Sequence, residues 1–253
     1  MHVLIHGDCQ SLSLQNFGAI ITDPPYGSTQ NGWDASPADF IDMALTACAE
    51  DSAIVTTCDM RYACFLLSKH MQIFSHDLVW KKTVGSGQLN INNRPLRTHE
   101  NILVFKKGAG FYRRVQEKGS PYRVTRNIET EQCYGKQRAH EKVNTGTRDR
   151  KTVVDIANPR RKGGHPTQKP LDLWQWLCDS YGKGVILDPF AGSGVILDVC
   201  GFLTVGVEKD AEYYRAARAS RADRIIEAEL PTELRECLPN LQDTEYTVFV
   251  PKS

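Results

Sequence analysis

Short apolar and β-branched runs recur near both ends of the chain, at 3–5, 19–22, 53–57, 77–80, 102–105, 184–187 and 204–207. Each is about four residues long and bounded by Gly, Asp or Lys, as buried strands of a mostly parallel sheet are. Helical spacing falls between several of them. Ser36-Pro37-Ala38-Asp39 offers an N-cap, a proline at the first helical position and an acid at the third, and Phe40, Ile41, Ala44, Leu45 and Cys48 follow on one face. Residues 61–70, 171–180 and 212–230 are further predicted helices, and 195–201 a short helix start. Strands alternating with helices predict a doubly wound α/β fold. Beyond 231 the pattern predicts only a terminal strand at 246–250.

Residues 107–164 break this rhythm. They are polar, rich in Arg, Lys, Gly, Asn and Thr, with Phe111, Tyr112, Tyr122 and Tyr134 interleaved among the basic residues. They read as a loop-rich insertion that orders on nucleic acid. Charge sharpens the picture. The chain's net charge is only +1, yet residues 81–170 hold 21 Lys and Arg against 7 Asp and Glu, a net of +14, and the remainder carries −13. A segment so basic concentrates a polyanion through counterion release whatever the total charge. Composition is otherwise that of a globular protein, 41% apolar and 24% charged. No apolar run approaches the roughly 20 residues that cross a bilayer, and with no basic stretch ahead of an apolar one in the opening residues, secretion is not expected. The eight cysteines are never closer than six residues and form no C-x-x-C, which argues against a zinc ribbon or disulfide scaffold. Reduced thiols in a cytoplasmic protein are expected.

Two constellations carry chemistry. Asp23-Pro24-Pro25-Tyr26 directly follows a predicted strand, and ligands bind at the carboxyl ends of strands in a doubly wound sheet. Consecutive prolines fix an extended backbone and donate no hydrogen bonds. A carboxylate (Asp23), a free carbonyl (Pro24) and an aromatic ring (Tyr26) suit a planar group bearing an NH2. The second constellation, Asp188-Pro189-Phe190-Ala191-Gly192-Ser193-Gly194, follows another predicted strand, and the next strand ends in Glu208. A strand, glycine loop and helix let a nucleoside approach the backbone, and an acid after the following strand can accept both ribose hydroxyls. Leu197 stands where a dinucleotide fingerprint needs a third small residue, so a nicotinamide cofactor is disfavoured, and no P-loop is present.

In this order, the two constellations closely resemble the amino-group DNA methyltransferases that use S-adenosyl-L-methionine, in the permuted arrangement of their β group. The resemblance extends to Gly7-Asp8-Cys9, to Trp80-Lys81 and His99–Phe105, and to His165-Pro166-Thr167-Gln168-Lys169-Pro170. One departure is Val195, where many members carry Thr. The resemblance implies a seven-stranded Rossmann-like methyltransferase sheet, split into a catalytic half at 1–106, a target-recognition insertion at 107–164, a cofactor-binding half at 165–230 and a tail at 231–253. It makes Asp23, Pro24, Pro25 and Tyr26 catalytic. It assigns the cofactor to Asp8, Cys9, Asp23, His165, Thr167, Lys169, Asp188, Phe190, Ala191, Gly192, Ser193, Gly194, Glu208 and Lys209, with no metal. Arg94, Arg97, Arg113, Arg114, Arg123 and Arg126 are expected on the phosphates or bases of double-stranded DNA. The expected reaction methylates the exocyclic amino group of adenine in a flipped-out base. The same reaction on cytosine, or an inactive DNA-binding subunit on this scaffold, stay open, as do a homodimer and a cognate restriction endonuclease as partners. The permuted order and the basic insertion argue against RNA or protein glutamine as the substrate. The family resemblance places the protein in the cytoplasm of a bacterium or in a phage, on the nucleoid through DNA.

Overall fold

The structure, a computed structural model, describes residues 1–27, 39–126, 130–132, 135–137, 139–158, 168–241 and 244–251, and the side chains of 126–138 lie outside that description. It comprises two compact units, Met1–Arg113 with Thr152–Ser253, and Arg114–Lys151.

The first unit is built on one sheet. Its strands are β1 (His2–His6), β2 (Phe17–Thr22), β3 (Cys48–Cys58), β4 (Phe74–Ser86), β5 (Arg97–Lys106), β6 (Val153–Asp155), β7 (Val185–Asp188), β8 (Leu203–Glu208), β9 (Ile225–Ile226) and β10 (Tyr246–Phe249). Their spatial order is β6-β4-β5-β3-β2-β7-β8-β1-β10-β9. The seven apolar runs of the sequence are the inner seven strands, β4 through β1. The run β3-β2-β7-β8-β1 is parallel throughout, while β5 lies antiparallel between β3 and β4. The central strands β2 and β7 are buried along their whole length, which is why they read as continuous apolar runs rather than as alternating ones.

Strand alternation divides the core in two. Ile5, Ile20, Ile54, Leu103, Leu187 and Val205 pack on one face with helices α1 (Ile41–Ala47), α2 (Met60–His70) and α5 (Thr232–Cys237). Leu4, Ile21, Val55, Ile102 and Ile186 pack on the other with α3 (Leu171–Tyr181) and α4 (Ala211–Ala219). The sheet is therefore doubly wound, as predicted.

Several boundaries differ from the sequence reading. Helix α1 starts at Ile41. Asp39, expected in its first turn, instead pairs with Lys69 and His70 of α2, both at 2.9 Å, and Ser36, Pro37 and Ala38 lie outside the described residues. The helix predicted over 212–230 ends at Ala219. The guanidiniums of Arg221 and Arg224 turn inward around Asp198, and Ile225–Ile226 joins the sheet edge as β9. In place of a helix start, Val195–Asp198 is a 3-10 turn. The tail holds α5, begun after Pro231, a helix too short to register as periodicity.

The described residues of the second unit include six short strands. Tyr122–Arg126 pairs antiparallel with His140–Asn144, Gln116–Lys118 with Thr147–Asp149, and Thr130–Gln132 with Gly135–Gln137. Its described strands are mostly exposed, so no apolar alternation marked them in the sequence. Ion pairs hold it together, Arg114 with Asp149 at 2.7 Å and Arg123 with Glu141 at 3.1 Å, and Arg148 lies over the Tyr122 ring at 4.5 Å. The unit is narrower than the 107–164 insertion expected from sequence.

Gly18 lies in β2, the strand that leads to Asp23-Pro24-Pro25-Tyr26. A Cβ there would sit 1.7 Å from the carbonyl oxygen of Lys183, on backbone that cannot yield like a side-chain tip. Gly18→Ala is expected to lower stability by about 2 kcal/mol or more, read as a shift of the urea midpoint at unchanged slope.

Candidate active site

Strand β2 ends at Thr22 and β7 at Asp188, and the two strands are direct parallel neighbours with Ile20 opposite Leu187. The Thr22 hydroxyl donates to the Asp188 carboxyl at 2.7 Å. One buried hydrogen bond thus joins the residue before the first constellation to the opening residue of the second, across 166 positions of sequence. Strand β8 lies next, placing Glu208 at the same edge of the sheet.

Asp23 is held from three sides. Its Oδ1 accepts the hydroxyl protons of Tyr26 and Thr57, and those two hydroxyls lie 2.9 Å apart. Its Oδ2 accepts from Lys169 Nζ at 2.5 Å. Lys169 is buried and also sits 3.3 Å from Glu100 of β5, whose other oxygen pairs with Lys82 of β4. The result is a row of alternating charges, Lys82, Glu100, Lys169 and Asp23, drawn from four separate elements. Burial works against the charge on Lys169, yet the two facing carboxylates hold its pKa above the ordinary lysine value. Burial, and then the charges of Asp23 and Glu100, push the Tyr26 phenol well above the usual range, so it stays a neutral donor.

The glycine loop follows β7. Gly192 and Gly194 take φ of +51° and +74°, values that favour glycine. Ala191 N–H donates to Val207 O at 2.8 Å and Gly194 N–H to Ala191 O at 2.7 Å. Arg221 clamps the far side through the carbonyls of Ser193 and Gly194 at 3.0 and 2.8 Å. Glu208 accepts N–H groups from Gly192 and Asp210, one on each oxygen, both at 2.7 Å. Each oxygen keeps a second lone pair, so a fixed carboxylate beside the loop can receive two adjacent hydroxyls. A Cβ on Gly192 would meet nothing within 4 Å, which leaves open space in front of the loop. Burial raises the Glu208 pKa. Across from Glu208, where β1 pairs with β8, Asp8 binds Lys209 at 2.8 Å; that bond, then the Gln10 N–H, lowers its pKa. Burial pushes the Cys9 thiol up to about 12.

The fold therefore gathers Asp23, Tyr26, Lys169, Asp188, Glu208 and the loop 190–194 at one edge of the sheet. Lys169, expected at the cofactor, stands against Asp23. His165 and Thr167 lie outside the described residues. Thr22, Thr57, Glu100, Lys82 and Arg221 carry roles the sequence reading did not assign. Thr57 had a signal, a polar pair at the end of an apolar strand, and so did Glu100, an acid at the start of another. Arg94 is exposed and Arg97 half-exposed, near the turn joining β4 and β5. The Arg113 guanidinium reaches Gly182 O at 3.4 Å. Arg114 and Arg123 are held in the ion pairs of the second unit, and the Arg126 side chain lies outside the described residues. Among the described residues, no group of side chains is set to hold a metal, and no helix is long and apolar enough to cross a membrane.

A family model described as DNA methylase matches residues 17–219. The chain belongs to this family of N6/N4-type DNA methylases. Among curated relatives, the type II methyltransferase M.HpaI of Haemophilus parainfluenzae is 24% identical over 233 residues, covering 83% of this chain and 69% of that protein. M.SmaI of Serratia marcescens is 27% identical over 151 residues, covering 56% and 44%. The methylase thus spans more than two thirds of the first relative and less than half of the second. Two solved structures share its fold. M1.HpyAVI, determined as a complex with SAM, superposes with a TM-score of 0.55 at 20% identity, covering 87% of this chain and 100% of that one. TTHA0409 of Thermus thermophilus, complexed with S-adenosyl-L-methionine, gives 0.51 at 18%, covering 86% and 93%.

Burial, and next to it the charges of Asp23 and Glu208, raise the Asp188 carboxyl to about 7. A folded-state pKa above the unfolded value means that stability from this group is full below about pH 4 and drains away as pH rises through 7. Asp188→Asn keeps an acceptor for Thr22 and the Phe190 N–H but does not ionise. Denaturant titrations should show it gaining on the parent by roughly 1–3 kcal/mol between pH 5 and pH 8; a constant difference would show that Asp188 does not titrate there.

Proposed function

We propose that this methylase transfers a methyl group from S-adenosyl-L-methionine to the exocyclic amino nitrogen of adenine in double-stranded DNA, acting on a base turned out of the helix. The observation that carries the reading is the bridge between Thr22 and Asp188, which sets Asp23 and the glycine loop side by side.

The described residues fit the cofactor. Glu208, with both oxygens oriented by backbone N–H groups, suits the ribose hydroxyls. The open Gly192 loop suits close approach of the nucleoside, and Asp8 beside β8 suits the adenine end. When bound, the cofactor supplies a methyl group carried on a sulfonium.

The work left to the protein concerns the amino nitrogen, whose lone pair is delocalised into the base. Asp23 and the Pro24 carbonyl each accept one amino hydrogen, which favours a pyramidal nitrogen with its lone pair available. Tyr26 and Thr57 occupy Oδ1 of Asp23, and Lys169 takes only one lone pair of Oδ2, so Oδ2 is the oxygen with capacity for a further donor. Tyr26 thus fixes the carboxylate through its hydroxyl while offering its ring to the base. Asp23 stabilises the positive charge that develops on nitrogen and takes up the released proton or passes it to water. Much of the acceleration comes from holding the reacting atoms about 3–3.5 Å apart. Aspartate as the first residue of the tetrapeptide favours adenine over cytosine. Turning the base out costs a few kcal/mol, which basic residues offset through phosphate contacts.

Asp23→Ala should lose essentially all methyl transfer while binding S-adenosyl-L-methionine with near-parental affinity, measured by calorimetry beside a labelled-methyl assay. Mass spectrometry of digested DNA should return N6-methyladenine. N4-methylcytosine would correct the target base, and full activity in the variant would overturn the role of Asp23.

A further inference from the structure

Strands β4 and β5 form a long antiparallel hairpin, and its turn end leaves the sheet at the edge that carries Asp23. The register fixes this direction. Cys58 at the end of β3 lies opposite Asn101 of β5, and Thr56 lies opposite Thr22. Glu100, the next residue of β5, is 3.3 Å from the lysine that binds Asp23. From Glu100 the chain reaches Leu96 in four residues, about 13 Å at the rise of a strand, so residues 87–96 project past the sheet edge that carries Asp23.

This tip has an unusual surface. Leu89 is fully exposed at 100%, with Ile91 at 59% and Val84 at 61%. The turn that presents them is hydrogen-bonded. Gly87 takes φ of +93°, Asn90 N–H donates to Gly87 O at 2.9 Å and Arg94 N–H to Asn90 O at 3.0 Å. No acid occurs between Asp77 and Glu100, whereas Lys81, Lys82, Arg94 and Arg97 do. Lys81 and Lys82 are paired with Asp155 and Glu100, and Arg97 lies 3.9 Å from Asp59. Arg94 makes no ion pair among the described residues. An apolar point on a basic, acid-free turn matches a polyanion with a stacked apolar interior.

We propose that this tip is a DNA wedge. Leu89, with Ile91 beside it, enters the duplex at the target step and fills the place the base vacates, while Arg94 holds a flanking phosphate. The proposal rests on the reading that a base leaves the helix to reach Asp23. Apolar wedges insert between base steps and loosen the stack, and burial of a fully exposed leucine, which gains the most from leaving water, offsets part of the cost of turning a base out.

The test first maps the methylated site on unmodified genomic DNA with the parent protein, then uses a synthetic duplex carrying that site and the same duplex with the target base mismatched. Leu89→Ala and the Leu89→Ala/Ile91→Ala double variant should keep the parental melting temperature. Both should lose roughly 10- to 100-fold in kcat/KM on the paired duplex and recover most of that on the mismatched one, where the base is already loosened. Arg94→Gln should instead weaken binding to both duplexes alike and flatten the salt dependence by about one phosphate contact. Equal losses for the leucine variants on both duplexes, no loss, or a changed oligomeric state in gel filtration without duplex discrimination would overturn the wedge. Failure of the parent to methylate any DNA would overturn the underlying functional reading instead.

Discussion

The hydrogen bond from Thr22 to Asp188 is the constraint on which the site depends. It is buried, it closes a gap of 166 residues, and it forms only when β2 and β7 pair in register. A one-residue slip in either strand would turn Thr22 or Asp188 to the opposite face of the sheet and separate Asp23 from the glycine loop. Because both strands are buried along their whole length, close packing of their side chains holds that register. The site is thus a consequence of the core, since the apolar residues that align β2 with β7 also align the Asp23 carboxylate with the glycine loop.

Around that joint the protein buries more charge than stability alone would favour. Lys82, Glu100, Lys169 and Asp23 alternate in sign, with Lys169 buried and the other three partly buried. Breaking one buried pair typically costs about 3–5 kcal/mol because the surviving charge is left uncompensated. The row ties α3, through the residues just before it, to β4, β5 and the segment after β2, and it keeps Asp23 fixed in position. Preorganisation of this kind lets a carboxylate act on developing charge without rearranging during the reaction.

Much of this was legible in the sequence. The seven apolar runs are the inner strands, and the two motifs at strand ends fall at one edge of the sheet. What was not legible has physical reasons. A helix of six residues, α5, leaves no periodic trace. Helix α4 stops early because Arg221 and Arg224 find partners around Asp198 and the glycine loop, a tertiary preference that local spacing cannot reveal. The second unit pairs short exposed strands, which lack an apolar face. Lys169 stands beside motif residues attributed to the cofactor, yet it pairs with Asp23 because the approach to α3 brings it over the end of β2. The motif predicts an aromatic face at Tyr26, and in the structure its hydroxyl also braces the Asp23 carboxylate.

A crystal structure of the protein bound to S-adenosyl-L-methionine tests the central claim most directly. With two distant segments meeting at one joint, the ribose should lie on Glu208 and the sulfonium methyl within roughly 5–6 Å of an Asp23 oxygen, the span of one amino group in near-attack geometry. A cofactor seated away from Glu208, or a methyl group farther than about 10 Å from Asp23, would contradict the account.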